Sequence, residues 1–462
     1  MNKIYDVCII GAGPAGIFCA LELMKTNDVL LMEMGDDFKK RRPCRVINQE
    51  VACNRCGGVC KIITGFGGAF CSNSGGTLSL YPAGSSLMKY YRSQDELFRD
   101  YESAVDYWRS FSQDRMSYEG SVDSDEIIAF SKRVSNFGGV YKHYNGYKLS
   151  KEALYSSIGL MQDAISKSVA MEFNSEVVSI SKDSNCWRLA SNSGREFCAR
   201  AIVFATGRKG NSFTAKILQR LGVSFSKTSI DLGVRLELPH GRIDHLAKLH
   251  PDVKIKFGVN GEEVRTFCFC PQGRIIHFNQ DSLCHTKSMD FLEGYIDQNS
   301  LSDRTNISFL HRIYFADIEE VWKFQRSFED NYYALGGKVI AQRFRDVGKR
   351  IFSLPPRNMT LRDYCIGSIF EVLPEKTSLV ILEAISRFDK IMDGQVINDD
   401  TVIISPELGN FWPEISIDLD FQTNVNGLFV IGDALGFIRG ALQSSVTGIR
   451  ASSEIKHFLE RS

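Results

Sequence analysis

Three glycines near the start of the chain have the spacing of a turn that holds phosphate groups. Gly11, Gly13 and Gly16 form a G-x-G-x-x-G pattern, and an acidic residue, Glu33, follows the first glycine by 22 positions. In such a turn the first glycine allows a tight bend, the second lets backbone approach a pyrophosphate, and the third lets a helix pack closely on a strand. A carboxylate at this spacing accepts hydrogen bonds from ribose hydroxyls. These residues therefore predict a dinucleotide site.

The segments around the glycines predict the elements that such a site needs. Ile4–Ile10 is a continuous apolar run, typical of a strand buried on both faces of a parallel sheet. Residues 17–25 have a helical pattern, with Pro14 and Ala15 near the first turn, where unpaired N–H groups can face phosphates. A second apolar run, Val29–Met32, leads to the acid. We expect a strand–helix–strand unit here.

Two distant segments indicate the type of dinucleotide. Residues 201–207 form an apolar strand that ends in Ala205, Thr206 and Gly207, and residues 427–433 form another that ends in Gly432 and Asp433. Together with the N-terminal turn, these segments resemble the three FAD signatures of the glutathione-reductase-type flavoprotein superfamily. The sequence has no second G-x-G-x-x-G, which argues against a separate NAD(P)H-binding domain. A transient NAD(P)H reductant stays open.

The resemblance implies several FAD contacts. In that superfamily the acid of the Gly-Asp pair bonds the ribityl chain, and here this acid is Asp433. Val177 matches a position that contacts the adenine through its backbone. Arg42, at the end of a basic run, matches a residue that reaches the adenosine or pyrophosphate, although such a run is also typical of a solvated face. Met34, next to Glu33, is a further candidate.

A helix after the Gly-Asp pair is expected to act on the flavin. The helical pattern runs from about Gly440, through Ala441 and Leu442, to residue 459. Its N-terminal N–H groups would face the flavin N1/C2 edge, which gains negative charge on reduction. The helix dipole would then favour reduced flavin. The alternative is an ordinary strand–turn–helix that closes the fold.

Further stretches resemble one branch of the superfamily, the FAD-dependent dehydrogenases related to geranylgeranyl reductases and aromatic hydroxylases. These stretches are residues 65–78, 231–237 and 265–273. The first resembles the glycine-rich loop of that branch, which implies that Gly67, Gly68 and Ala69 lie against the isoalloxazine. The sequence departs from the branch where Asp, Lys and Gly are replaced by Asn73, Thr77 and Gln272. These departures change the polar groups expected beside the flavin.

A predicted hairpin holds the candidate catalytic residues. Residues 266–278 would form two strands joined by a turn at Pro271. By analogy with the geranylgeranyl reductases, this hairpin would lie near the reactive face of the flavin. Cys268 and Cys270 alternate with phenylalanines and so share one strand face, as packing residues or as a redox pair. His277 is a candidate proton donor or a structural residue of the strand.

A cluster of cysteines lies between the second strand and the glycine-rich loop. Cys53, Cys56 and Cys60 have ligand-like spacing, and Cys44 is the candidate fourth ligand. Thiolates this close in sequence suit zinc, or an iron–sulfur cluster that passes electrons to flavin. Reduced, unliganded thiols and redox disulfides are the alternatives.

The composition limits the partners and the compartment. The chain of 462 residues has 55 Lys and Arg against 55 Asp and Glu, so it lacks the basic excess typical of nucleic-acid-binding proteins. Its 13 cysteines, without a secretory signal, favour a reducing, cytoplasmic location. The apolar residues 7–23 are interrupted by glycines and a proline, so we expect no membrane span.

These features predict an α/β fold, with a parallel, Rossmann-like FAD-binding sheet and an inserted mixed-sheet, α+β substrate domain. The FAD-binding domain is assigned to residues 1–120, 150–225 and 401–462, and the substrate domain to residues 121–149 and 226–400. The predicted activity is hydride transfer between flavin N5 and a small organic substrate, preferably at a carbon–carbon bond. The alternatives are a monooxygenase that uses NAD(P)H and oxygen, and a non-catalytic flavin-binding redox sensor. The substrate and the electron donor stay open.

Overall fold

A computed structural model describes residues 3–41, 59–72, 75–120, 124–183, 186–226, 229–282, 284–285, 287–297, 299–409 and 413–461. The strands within these residues are β1 (Ile4–Ile10), β2 (Val29–Met32), β3 (Gly75–Ser79), β4 (Met116–Glu119), β5 (Gly139–Lys142), β6 (Gly146–Ser150), β7 (Ala170–Glu172), β8 (Val177–Lys182), β9 (Trp187–Ser191), β10 (Glu196–Phe204), β11 (Ser229–Pro239), β12 (Lys254–Val259), β13 (Glu262–Cys270), β14 (Arg274–Asp281), β15 (Ser288–Tyr295), β16 (Arg304–Tyr314), β17 (Ile340–Arg343), β18 (Cys365–Ile366), β19 (Val402–Leu408) and β20 (Leu428–Val430). The helices are α1 (Pro14–Leu23), α2 (Gln94–Ser112), α3 (Ser124–Asn136), α4 (Lys151–Ile165), α5 (Gly207–Arg220), α6 (Ile318–Ala334), α7 (Ile369–Val372), α8 (Glu375–Ile391) and α9 (Ala441–Arg461).

The first sheet has a parallel centre. Its strands are ordered β7-β2-β1-β10-β9-β8, and β20 also pairs with β10. The pairs β1–β10, β1–β2, β2–β7 and β10–β20 are parallel, whereas β9 pairs antiparallel with β10 and β8. Both strands of the N-terminal unit have the bounds that the sequence predicts. The predicted α/β class with a parallel, Rossmann-like sheet is confirmed.

Glycine contacts bring α1 close to the sheet and to α9. A Cβ added at Gly16 would lie 2.0 Å from the Gly11 carbonyl oxygen, so α1 can approach the turn only with glycine there. On the other side of α1, a Cβ at Gly448 would lie 2.4 Å from the Ala15 carbonyl oxygen. These distances are far shorter than a carbon atom tolerates. The third glycine of the motif therefore has the packing role that its spacing predicts.

The second sheet is mixed. Its order is β18-β17-β19-β11-β16-β13-β12-β5, and all its pairs are antiparallel except β17–β18. The helix α8 packs on it through an apolar face, where Phe388 lies with its ring centroid 5.5 Å from that of Phe309 on β16. The strand β19 belongs to this sheet, although it falls within residues 401–462. The domain boundaries stay a prediction.

The predicted hairpin at residues 266–278 is wrong. The chain does turn between β13 and β14, but β13 pairs with β12 and β16, whereas β14 pairs with β15 in a separate two-stranded sheet. The register of β13 against β16 shifts between Phe267 and Cys270. Cys268 and Gln272 both have φ +50°, a left-handed backbone that turns the chain out of the second sheet. Pairing with β12, β16 and β15 thus overrides the local pattern around the turn.

Most of the apolar interior lies against the two large sheets. One cluster of buried side chains surrounds the first sheet with α1, α2, α4 and α9, and another surrounds the second sheet with α6 and α8. A three-stranded sheet, β3-β6-β4, lies beside α4. Among the described residues, no helix has both the length and the apolar character that a membrane crossing requires.

Candidate functional site

A cavity of about 750 Å³ is lined by residues from both large sheets and their connections. Its lining includes most of the residues predicted to bind the cofactor: Gly11, Gly13, Pro14, Ala15, Glu33, Met34, Gly68, Ala69, Val177, Ala205, Thr206, Gly207, Asp433, Gly440 and Ala441. The predicted residues Gly16, Gly67, Gly432 and Leu442 are described but do not line it. Arg42 lies outside the described residues. Segments far apart in sequence thus meet at one cavity.

The floor of the cavity near α1 is bare backbone. Gly67 N donates a hydrogen bond of 2.8 Å to Ala12 O, which fixes the glycine-rich loop on the glycine turn. A Cβ added at Gly68 would lie 3.1 Å from Gly13 Cα, whereas a Cβ at Gly13 would meet no atom within 4 Å. Gly13 is the N-cap of α1, and no side chain caps this helix end. The space beside the N-terminus of α1, where a Gly13 side chain would project, is therefore open, as an anion site at a helix N-terminus requires.

Glu33 has a structural role that its spacing in the sequence does not predict. Its side chain is buried, lines the cavity and accepts three backbone hydrogen bonds of 2.9 Å each. Oε2 accepts from Ala12 N, and Oε1 accepts from Gly35 N and Gly65 N. A carboxylate has about four lone-pair positions, so Oε2 retains capacity for one hydroxyl donor. Glu33 holds the turn and the glycine-rich loop together.

Arg41, which the sequence did not single out, secures the same loop. Its Nη1 donates to Phe66 O at 3.0 Å, and its Nη2 donates to Ile62 O at 2.9 Å. The sequence instead points to Arg42, its neighbour in the same basic run. Only the structure shows that Arg41 turns back onto the loop rather than into solvent.

Asp433 lies between two arginines. Its Oδ2 is 3.9 Å from Arg208 Nε, and its Oδ1 is 3.4 Å from Arg439 Nε. Desolvation lowers the pKa of Arg439 to about 10. Burial opposes the charged form of Arg208 too, but Glu293 and Asp433 outweigh it and raise the pKa of Arg208. Both arginines adjoin predicted segments, Gly207 and Gly440, and this proximity was the signal in the sequence that could have found them.

The candidate catalytic residues are separated by the structure. Cys268 lines the cavity, and Cys270 is buried behind it with its Sγ 3.7 Å from Cys268 Sγ. Both thiols are free. His277 is buried on β14, opposite Leu292 of β15, and does not line the cavity. The geometry therefore brings the two cysteines to the site and leaves His277 away from it.

The cavity wall formed by β5, β12, β13 and β16 is rich in cations, which the sequence does not predict as site residues. The lining residues of this kind are Lys142, Lys254, Lys256, Arg265 and Arg312. Asp231, buried behind the wall, receives hydrogen bonds from both arginines. Burial opposes ionisation of Asp231, but the two arginines outweigh it and hold the pKa of this carboxyl well below its usual range. Burial, followed by the nearby Lys256, lowers the pKa of Lys142.

The predicted metal cluster cannot be located. Cys44, Cys53 and Cys56 lie outside the described residues. Cys60 is described, and its carbonyl accepts a hydrogen bond of 2.7 Å from Thr64 Oγ1. Within the described part of the chain, no three or more His, Cys, Asp or Glu side chains are grouped to hold a metal ion. The metal site stays a prediction.

The chain is distantly similar in sequence to a bacterial protein. No protein-family model matches the chain. An uncharacterized protein of Clostridium beijerinckii is 25% identical over 322 residues, which are 62% of this chain and 57% of that protein. The match thus spans little more than half of the relative's length.

Several solved structures are similar in fold to this chain. A flavoprotein/dehydrogenase from Cytophaga hutchinsonii is 11% identical, with 100% of this chain and 80% of that chain covered and a TM-score of 0.42. A glycine oxidase from Geobacillus kaustophilus is 13% identical, with 99% and 95% covered and a TM-score of 0.36. A halogenase in complex with FAD is 11% identical, with 99% and 70% covered and a TM-score of 0.41. Similarity at this level carries no information on the reaction of this chain.

Proposed function

We propose that this protein is an FAD-dependent oxidoreductase that moves a hydride between flavin N5 and a small organic substrate. The observation that carries the proposal is the shared cavity. It is lined by the glycine turn, by residues 205–207 and by Asp433, and its opposite wall comes from the second sheet. A cofactor held by the first group of residues would face a substrate held by the second.

The described residues suit FAD in three respects. Gly13 leaves space where any other side chain would project, next to the open N-terminus of α1. Glu33 has an acceptor position left for a ribose hydroxyl. Asp433 and Gly440 line the cavity beside α9, whose N-terminal dipole favours an electron-rich partner. When bound, FAD supplies reversible two-electron chemistry, and the protein supplies binding, orientation and charge.

The wall opposite these residues favours an anionic substrate such as a carboxylate. Five lysine and arginine side chains line it, and among the described residues Asp231, Asp252 and Glu263 form ion pairs with four of them. The excess positive charge would attract and orient an anion within the cavity. Lys142 is suited to this role, because burial and the neighbouring Lys256 lower its pKa and a bound anion would oppose both effects. The carbon–carbon bond as the reacting group follows from the family resemblance.

The reaction class is tested by anaerobic reduction of the FAD-loaded protein. NADH, NADPH and dithionite are mixed with it in separate stopped-flow experiments, and oxygen or candidate unsaturated carboxylates follow. Reoxidation by an unsaturated carboxylate, with slow reaction toward oxygen, is the expected result. A rapid C4a-hydroperoxide spectrum would instead establish a monooxygenase, and reduction without turnover of any small molecule would establish a redox sensor.

A further inference from the structure

The thiols of Cys268 and Cys270 are brought into contact by an irregular strand. Side chains two residues apart on a regular strand lie roughly 6.6 Å from each other. Here the two Sγ atoms are 3.7 Å apart, because the register of β13 shifts after Phe267 and Cys268 adopts φ +50°. A non-glycine residue in that backbone region is uncommon and costly, and such conformations cluster at functional sites. The irregular backbone of β13 therefore brings the two sulfur atoms into contact.

The surroundings make the two thiols unequal. Cys268 lines the cavity, whereas Cys270 is buried behind it, and a Cβ at Gly294 would lie 2.5 Å from its sulfur. A hydrogen bond from Cys270, followed by the nearby Arg235 cation, lowers the pKa of Cys268 against the opposing effect of burial. The same hydrogen bond and burial raise the pKa of Cys270. A cavity-lining thiol of lowered pKa beside a buried thiol of raised pKa is the arrangement of an attacking and a resolving thiol.

A chain of polar contacts links the thiols to the acid of the Gly-Asp pair. Cys268 Sγ is 3.5 Å from Glu293 Oε1, and Glu293 Oε2 accepts a hydrogen bond of 2.8 Å from Arg208 Nη1. Arg208 in turn lies beside Asp433. The thiols therefore belong to the same cavity as the residues assigned to FAD.

We propose that Cys268 and Cys270 form a reversible dithiol–disulfide pair that exchanges two electrons with the bound flavin. This inference rests on the proposed function. Closure of the sulfur–sulfur bond would shorten the observed contact of 3.7 Å to about 2.05 Å. It breaks two S–H bonds and releases two electrons and two protons, which convert FAD to FADH2. In the opposite direction the same electrons and protons reopen the disulfide, so the exchange balances without another reactant.

The pair is tested first without reference to the flavin. Full-length protein is equilibrated in glutathione redox buffers, quenched with acid, alkylated and digested with trypsin. Cleavage after Arg265 and Arg274 releases residues 266–274, which contain Cys268 and Cys270 and no other cysteine. We expect this peptide to lose two hydrogens in oxidising buffer and to regain them with dithiothreitol. A peptide that takes two alkyl groups in every buffer would overturn the proposal.

Exchange with flavin is tested by anaerobic dithionite titration of FAD-loaded, oxidised protein. Wild-type protein is expected to take up two electrons for the flavin and two for the disulfide, whereas Cys268→Ser and Cys270→Ser should take up the flavin's two alone. The double variant Cys186→Ser/Cys198→Ser removes a second contacting thiol pair outside the cavity and should behave like wild type. If wild type and both single variants take up the same number of electrons, the proposal of a dithiol–disulfide pair is overturned.

The same titration separates this inference from the proposed function. If the protein binds no FAD, wild type would still take up two electrons for the disulfide. That result would support the dithiol–disulfide pair, and it would overturn both the proposed function and the exchange of electrons with flavin. If FAD binds and peptide 266–274 stays reduced, the proposed function stands and the pair falls.

Discussion

Arg208 Nη1 donates a hydrogen bond to Glu293 Oε2 at 2.8 Å, and this ion pair joins α5, which follows the first sheet, to β15. The two residues are 85 positions apart in the chain. On one side the pair reaches Asp433, and on the other it reaches Cys268. A single ion pair thus connects the acid assigned to the cofactor with the thiol in the cavity wall, so charge changes at either place should be felt at the other.

Gly13→Val is expected to remove FAD binding while the fold remains. Gly13 has an ordinary φ of −79°, and a Cβ there meets no atom within 4 Å, so the protein accommodates a side chain. That side chain would occupy the space needed by a pyrophosphate. We expect affinity for FAD to fall by about tenfold or more, or ~1.4 kcal/mol, in a fluorescence titration of the flavin-free protein.

The matched control for this variant is Gly258→Val. Gly258 lies exposed on β12, and a Cβ there also meets no atom within 4 Å. Its FAD affinity should equal that of wild type. Tight FAD binding by Gly13→Val would show that the glycine turn does not hold the cofactor.

Asp433→Asn is expected to make the bound flavin easier to reduce. The change removes the negative charge between Arg208 and Arg439 and leaves both cations in place. Their positive charge would stabilise the reduced, electron-rich flavin. We expect the midpoint potential to rise by about 30 mV or more, equivalent to ~1.4 kcal/mol for two electrons, in a redox-dye titration. Asp363→Asn, at the exposed pair with Lys338, is the control, and an unchanged or lower potential in Asp433→Asn would contradict the assignment.

Glu407→Gln is expected to destabilise the second sheet. Arg235 and Glu407 form a fully buried ion pair, with Nη2 to Oε1 at 2.7 Å and Nε to Oε2 at 3.1 Å. The variant would leave the Arg235 charge buried without its partner. We expect the free energy of unfolding in urea to fall by about 3 kcal/mol. Asp363→Asn, which breaks an exposed pair, should cost less than about 1 kcal/mol, and equal effects of the two variants would refute the electrostatic explanation.

His250 is expected to make stability fall in mildly acidic solution. Burial, opposed by Asp252 and assisted by His143 and Lys254, lowers its pKa from 6.5 to about 4. Between these values the unfolded chain binds a proton that the native protein does not, so stability is full above pH 6.5 and declines as the pH falls toward 4. The total loss should be at most about 3 kcal/mol.

Urea unfolding across this pH range measures the effect. His250→Asn retains an acceptor for the Asp252 N–H, which donates to His250 Nδ1 at 2.9 Å. It should make the profile between pH 4 and 6.5 shallower, and the remaining slope includes His311, whose pKa burial also lowers. His457→Asn, at an exposed position, should leave it as in wild type. The same slope in His250→Asn as in wild type would exclude His250 as the titrating group.

The sequence predicts the elements whose signals are local. β1 and β2 have the predicted bounds, because continuous apolar runs and a glycine turn determine a buried strand–helix–strand unit by themselves. α9 begins at Ala441, one residue after its expected start, because its helical pattern is also a local signal. The gathering of the separated segments at one cavity follows from the parallel order of β1, β10 and β20, whose ends lie at one edge.

What the sequence did not predict depends on long-range contacts. The predicted hairpin is wrong because β13 pairs with β12 and β16, whereas β14 pairs with β15. The turn between β13 and β14 therefore does not determine their pairing. Glu293 has no motif around it and becomes part of the site only through Arg208 and Cys268. The cationic wall is spread over β5, β12, β13 and β16, so its members never appear as a cluster in the sequence.

The most direct test is the FAD content of the purified, well-folded protein. Denaturation should release one FAD per chain, seen by absorbance and chromatography, or the flavin-free protein should take up one equivalent on incubation. Folded protein that is colourless and takes up no FAD would contradict the account.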